Sequence, residues 1–160
     1  MSFENLGNIG EFVGAIAVLV SLVYLAAQIR QNTRSVRAST YQDIVHMLQE
    51  IDLLLASDPE LNRIWIVGRH DPAQLNEDQQ RRFNTLLLAF YRNLENAYYQ
   101  GQNKLIDERI YDAWVGYSLR LSSQPGFLQW WQSHRGLLSD EFQQYVEREL
   151  AAQQPTGADR

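Results

Sequence analysis

His46 and Glu50 stand four residues apart, a spacing that puts both side chains on one helix face, where they could share a cation. Zinc asks for a third or fourth ligand. A carboxylate-bridged di-iron bundle asks for two Glu-x-x-His motifs and two further glutamates. The sequence contains neither set, and His70 and His134 fall at expected turn or helix-end positions. No metal site is expected, and His46–Glu50 reads as a surface pair. The chain has no cysteine, which removes thiolate ligands, disulfides and a thiol nucleophile. It also lacks a Gly-x-Ser-x-Gly elbow, a Walker loop and a Gly-x-Gly-x-x-Gly turn. With no nucleophile, base and orienting group in view, no catalytic residue and no cofactor is expected. An enzyme therefore ranks third among the functional readings.

The most specific polar feature is Arg92-Asn93-Leu94-Glu95-Asn96, set inside the most apolar helical stretch after the first. A charge among core residues must be paired or strongly shifted. One reading pairs Glu95 with Arg92 one turn away, or with Arg120 or Arg135 from another helix. The other makes Arg92, Glu95, Tyr98, Trp114, Trp130 and Trp131 a polar, aromatic-walled pocket for a small ligand, with Tyr91 and Tyr99 nearby. Thirteen arginines against one lysine, Lys104, suit bidentate carboxylate pairs and stacking on rings.

These groups need elements to hold them, and the first element is not a soluble one. Between Glu11 and Arg30 runs FVGAIAVLVSLVYLAAQI, without a formal charge. At about 1.5 Å per residue, such a helix approaches the roughly 30 Å of a bilayer core. The preceding segment is acidic, and no small-x-small cleavage pattern closes the run, so an uncleaved anchor over about 10–29 is expected. Every basic residue lies at or after Arg30. Arg30, Arg34 and Arg37 read as membrane-surface anchors and place the N-terminus outside and the rest of the chain in the cytoplasm. Gly10, Gly14, Ala17, Ser21, Tyr24 and Gln28 recur at spacings of 4, 3, 4, 3 and 4. A seam of small and polar side chains of this kind suits self-association or a partner membrane helix.

The remainder reads as helices. Tyr41, Ile44, Leu48, Ile51 and Leu55 form a stripe in a stretch free of Pro and Gly, which allows one helix to run on from the membrane. Asn32-Thr33 offers an alternative start. Asp58-Pro59 begins a short helix expected to end at Gly68. Asn76-x-x-Gln79 is a capping box for a helix over about 77–100, wide in apolar surface and expected at the centre of a bundle, with Gly101 as its stop. Asp107 caps a helix to about Leu121, carrying Ile110, Trp114, Tyr117 and Leu121 on one face. Pro125-Gly126 opens a helix with Phe127, Trp130 and Trp131, closed by Gly136. Ser139-Asp140-Glu141 opens the last. The expected organisation is a segment 1–29 with the membrane helix, a cytoplasmic helical domain over 30–151 and a polar tail over 152–160. The fold class is all-α: a transmembrane helix followed by a bundle of about five to six helices.

The formal net charge of −5, from 14 basic and 19 acidic residues, argues against a nucleic-acid partner, which usually meets a basic field. The blocks at 9–42, DPELNRIW at 58–65, FYRNLENAYYQ at 90–100 and SQPGFLQWWQSHR at 123–135 together resemble a widespread group of small, uncharacterised bacterial single-pass membrane proteins. That resemblance spans nearly the whole chain and implies a membrane-anchored helical protein; it brings no activity, cofactor or catalytic residue. The expected location is the bacterial inner membrane. The expected role is protein–protein interaction or scaffolding, with the bilayer and a second membrane helix as partners and oligomer formation in view. The rival is a membrane-tethered sensor of a small molecule bound around Glu95.

Overall fold

The computed structural model describes the backbone of residues 3–153 and the side chains of residues 10–153. Among these the chain forms six α-helices, α1 (Phe3–Ser57), α2 (Pro59–His70), α3 (Glu77–Gln102), α4 (Glu108–Ser122), α5 (Pro125–His134) and α6 (Asp140–Gln153), and no strand. Two 3-10 turns, Pro72–Gln74 and Arg135–Leu137, complete it. The all-α class read from the sequence is the class observed. Residues 154–160 of the expected tail lie outside the described residues.

The chain divides into two compact units, Met1–Ser39 and Thr40–Arg160. Side chains 30–39 are exposed like those of the apolar stretch before them, and packing begins only around Ile44. In the first unit every described side chain is exposed. Its apolar window makes α1 long and apolar enough to cross a membrane, with none of that window buried. Thr33 does not start a new helix. Its Oγ1 donates to the Ile29 carbonyl 2.9 Å away, one turn back inside a continuous α1.

The second unit is a bundle built around α3. The capping box at Asn76 and Gln79 is formed, each side chain accepting the other's backbone N–H. From there Phe83, Leu86, Leu87, Phe90, Tyr91, Leu94 and Ala97 are all buried. Fully burying one such large side chain stabilises by roughly 1.5–3 kcal/mol, so this helix alone accounts for much of the driving force. The end of α1 closes one side through buried Ile44 and partly buried Ile51 and Leu55. Asn93 fastens it by donating from Nδ2 to the Met47 carbonyl at 3.2 Å.

Two glycines expected to end helices do something else. Gly68 lies inside α2, which continues to His70. A Cβ there would sit 2.6 Å from Cδ2 of Phe83, and one on Gly126 would strike the Gly68 carbonyl. Both glycines are therefore where α2 and α5 make backbone contact. Gly101 likewise lies inside α3, against the Tyr111 ring. The stop comes three residues later, where Lys104 takes φ 56°. Leu105 N–H then bonds the Gln100 carbonyl and Lys104 N–H the Gly101 carbonyl, the paired bonds of a Schellman ending.

Candidate functional site

Glu95 leaves α3 half-buried, and no arginine pairs with it among the described residues. Its Oε1 accepts from the backbone N–H of Ser139 at 2.7 Å and from the Ser139 hydroxyl at 2.6 Å. Ser139 immediately precedes α6, whose first N–H groups have no helical acceptor. In a capping box the third residue of the helix would reach back to that N–H, but here the third residue is Phe142, committed to the core. Glu95 supplies the missing carboxylate from another helix. Of the arginines expected to pair with it, Arg92 and Arg120 are exposed, and Arg135 pairs with Glu147 of α6 instead.

The rings expected to wall a pocket are packed against one another. Trp130 and Trp131 are buried, and Tyr91, between α3 and α5, stacks with Trp130 at 5.0 Å and 10°. Trp130 also stacks with His134 at 5.0 Å and 8°. Trp131 lies 5.0 Å from Tyr91 and edge-on to Phe142. Tyr98 stacks with Tyr145 at 4.5 Å, and Phe142 closes that group. Six of the ring contacts around Trp65, Phe83, Phe90, Tyr91 and Phe127 run at 55–89°, the tilted and edge arrangements that aromatic quadrupoles favour. Of the expected set, the structure brings Tyr91, Trp130 and Trp131 together in the core. Glu95 and Tyr98 face α6, while Arg92 is exposed and Trp114 sits half-buried on α4.

Burial acts on the phenols. It pushes the Tyr91 hydroxyl far above its ordinary value, which the neighbouring Ser122 hydroxyl only partly offsets. Burial also raises Tyr145 and Tyr111, whose hydroxyls lie 3.4 Å apart. These groups stay protonated at physiological pH and offer no base. No cluster of three or more metal-binding side chains occurs among the described residues, and His46 and Glu50 are both exposed.

The stripe read on α4 divides, with Trp114 and Leu121 half-buried against the core and Ile110 and Tyr117 exposed. The buried face is Val115, Ser118, Leu119 and Ser122, whereas Ile110 and Tyr117 are 44% and 55% exposed. With half-buried Trp114, Ala113, Asp107 and Arg109, these two line a broad shallow groove. On α1, the seam residues Gly10, Gly14, Ala17, Ser21, Tyr24 and Gln28 are all exposed, as are Arg30, Arg34 and Arg37. A Cβ added at Gly10 or Gly14 would meet nothing within 4 Å. Ser21 donates to the Ala17 carbonyl at 2.8 Å, so its hydroxyl is satisfied inside the helix.

Comparison with known proteins finds no matching family model, no similar curated protein and no similar solved structure.

Proposed function

We propose that the protein is a membrane-anchored helical interaction module, with α1 as a single-pass anchor and the bundle as the part that engages a partner. The observation carrying this reading is the exposed apolar pair Ile110 and Tyr117 on α4, beside Trp114, which is half-buried against the core, on a bundle whose aromatic interior is already filled. Large exposed apolar side chains grouped on one helix face mark interaction surfaces more often than isolated ones do. The anchor reading rests on the wholly exposed apolar window of α1. Exposed Arg30, Arg34 and Arg37 at its C-terminal side support an N-outside, C-inside orientation in a bacterial inner membrane, with the bundle in the cytoplasm. The open seam at Gly10 and Gly14 supports association of the anchor with a second membrane helix, whether another copy or a partner.

The test is a double variant, Ile110→Glu with Tyr117→Glu, extracted in mild detergent and run on a native gel. Both side chains lie outside the core, so the fold should survive. The unaltered chain is expected to run as a complex larger than a monomer and the double variant to lose it, and a complex of unchanged size in the variant rejects the α4 surface. Gly14→Leu with Ser21→Leu, read in a membrane two-hybrid assay, tests the seam separately.

A further inference from the structure

The α4 stripe is not the bundle's sole concave feature. A cleft of about 280 Å³ lies where the start of α3 meets α5, lined by Gln80 and Asn84 of α3 and by Gln129, Trp130, Ser133 and His134 of α5. Pro72 and Gly126 complete it. The α5 residues follow i, i+3, i+4, i+7 and i+8 from Gly126, one face of a helix, and Gln80 and Asn84 are one turn apart on α3. The lining contains no Asp, Glu, Lys or Arg, and its only titratable side chain is His134.

Its hydrogen-bonding groups are half used. Gln80 Nε2 donates to Asn84 Oδ1 at 3.1 Å, which leaves Gln80 Oε1 and Asn84 Nδ2 without partners among the described residues. Turning both amides over exchanges the roles but still leaves one free carbonyl and one free NH₂ on the two neighbouring side chains. That pair matches a molecule presenting its own donor and acceptor side by side, as a lactam ring or a primary carboxamide does. Opposite, His134 spends Nδ1 on Ser133 Oγ and the Trp130 carbonyl, at 2.9 and 3.2 Å, and keeps Nε2. The Trp130 ring lines the same cleft, while its indole N–H is shut off from solvent.

We propose that this cleft binds a small neutral ligand with an amide edge, of nucleobase or carboxamide type. The volume falls just below the roughly 300–1,000 Å³ of sites for drug-sized molecules, which limits the ligand to one or two rings. The absence of fixed charge in the lining selects against ionic ligands. This goes beyond the interaction reading and does not depend on the α4 surface.

The experiment is ligand-observed NMR on the full chain in detergent, with uracil and nicotinamide as probes and 1,3-dimethyluracil as a control of similar shape without an N–H edge. At least one of the two probes should bind saturably, and dimethyluracil should bind at least about tenfold more weakly, the loss expected for one to two neutral hydrogen bonds. Asn84→Leu should weaken probe binding by a similar factor. Gln80→Met, nearly isosteric, gives the same readout should the first variant fail to fold, with near-UV circular dichroism as the check. Saturable binding by neither probe would overturn the proposal. So would equal affinity for uracil and its dimethyl derivative, or binding unchanged in the folded variants.

Discussion

Oε1 of Glu95 holds both the backbone N–H and the hydroxyl of Ser139, at 2.7 and 2.6 Å, so α3 caps a helix from a position 44 residues before that helix's own cap residue. The relationship explains why a carboxylate sits without an arginine on the helix that carries the largest share of the buried core. It is a structural device, because every group it touches belongs to the start of α6.

Removing that carboxylate should loosen α6. Glu95→Ala should destabilise the bundle by about 1.5–3 kcal/mol, the range for hydrogen bonds to a charged group. Glu95→Gln keeps an acceptor oxygen and should lose less than half of that. Urea midpoints of the full chain in detergent distinguish the two; equal losses would show that the charge, rather than the acceptor, holds Ser139.

A methyl group at Gly126 should be poorly tolerated. It would strike the Gly68 carbonyl, and backbone cannot rotate away as a side chain can. Gly126→Ala should cost at least about 1–3 kcal/mol through overpacking. Gly136→Ala, with nothing within 4 Å of the added atom, should change little. Similar melting temperatures for the two variants would contradict the close approach of α2 and α5.

Lys104 offers the opposite experiment. A non-glycine residue at φ 56° carries a conformational penalty of about 1–2 kcal/mol that glycine lacks. Part of the gain is returned to the more flexible unfolded chain. Lys104→Gly should therefore stabilise by roughly 0.5–1 kcal/mol, seen as a higher urea midpoint. A loss would mean that the lysine side chain contributes more than its backbone strain removes.

The buried phenols set the alkaline limit. Folding raises the Tyr91, Tyr111 and Tyr145 values above the ordinary value near 10, chiefly by burial. A raised folded value favours the protonated form, so this stabilisation is fully present below about pH 10 and is lost as pH climbs past it. Urea midpoints should be flat between pH 7 and 9 and fall by pH 11. Tyr91→Phe should reduce that fall, and a fall of unchanged size would remove Tyr91 from the explanation.

Local signals in the sequence carried most of the fold. Asp58, Asn76 and Asp107 cap where their side chains said they would, because a cap is satisfied within three residues of itself. Gly68 and Gly101 misled because glycine serves two purposes. Whether it ends a helix or admits a neighbour depends on Phe83 and Tyr111, residues the local pattern does not connect to it. The site was less legible for the same reason. Glu95 stands out in the sequence as a charge among core residues, but its partners, the backbone N–H and hydroxyl of Ser139, lie 44 residues away, beyond any local pattern. The α4 stripe had helical spacing, yet periodicity marks a face without saying whether core or solvent lies against it. Gln80 and Asn84 passed unnoticed because amides spaced one turn apart are ordinary on a helix surface until α5 is laid beside them.

The interaction reading is tested most directly by site-specific photocrosslinking in intact cells, with benzoylphenylalanine replacing Tyr117 on the outward face of α4 and, as control, Glu77 at the exposed start of α3. The account predicts a discrete protein adduct from position 117, of one partner or a second copy, and none from position 77. Adducts of equal yield from both positions, or none from 117 in a chain that fractionates with the membrane, would contradict it.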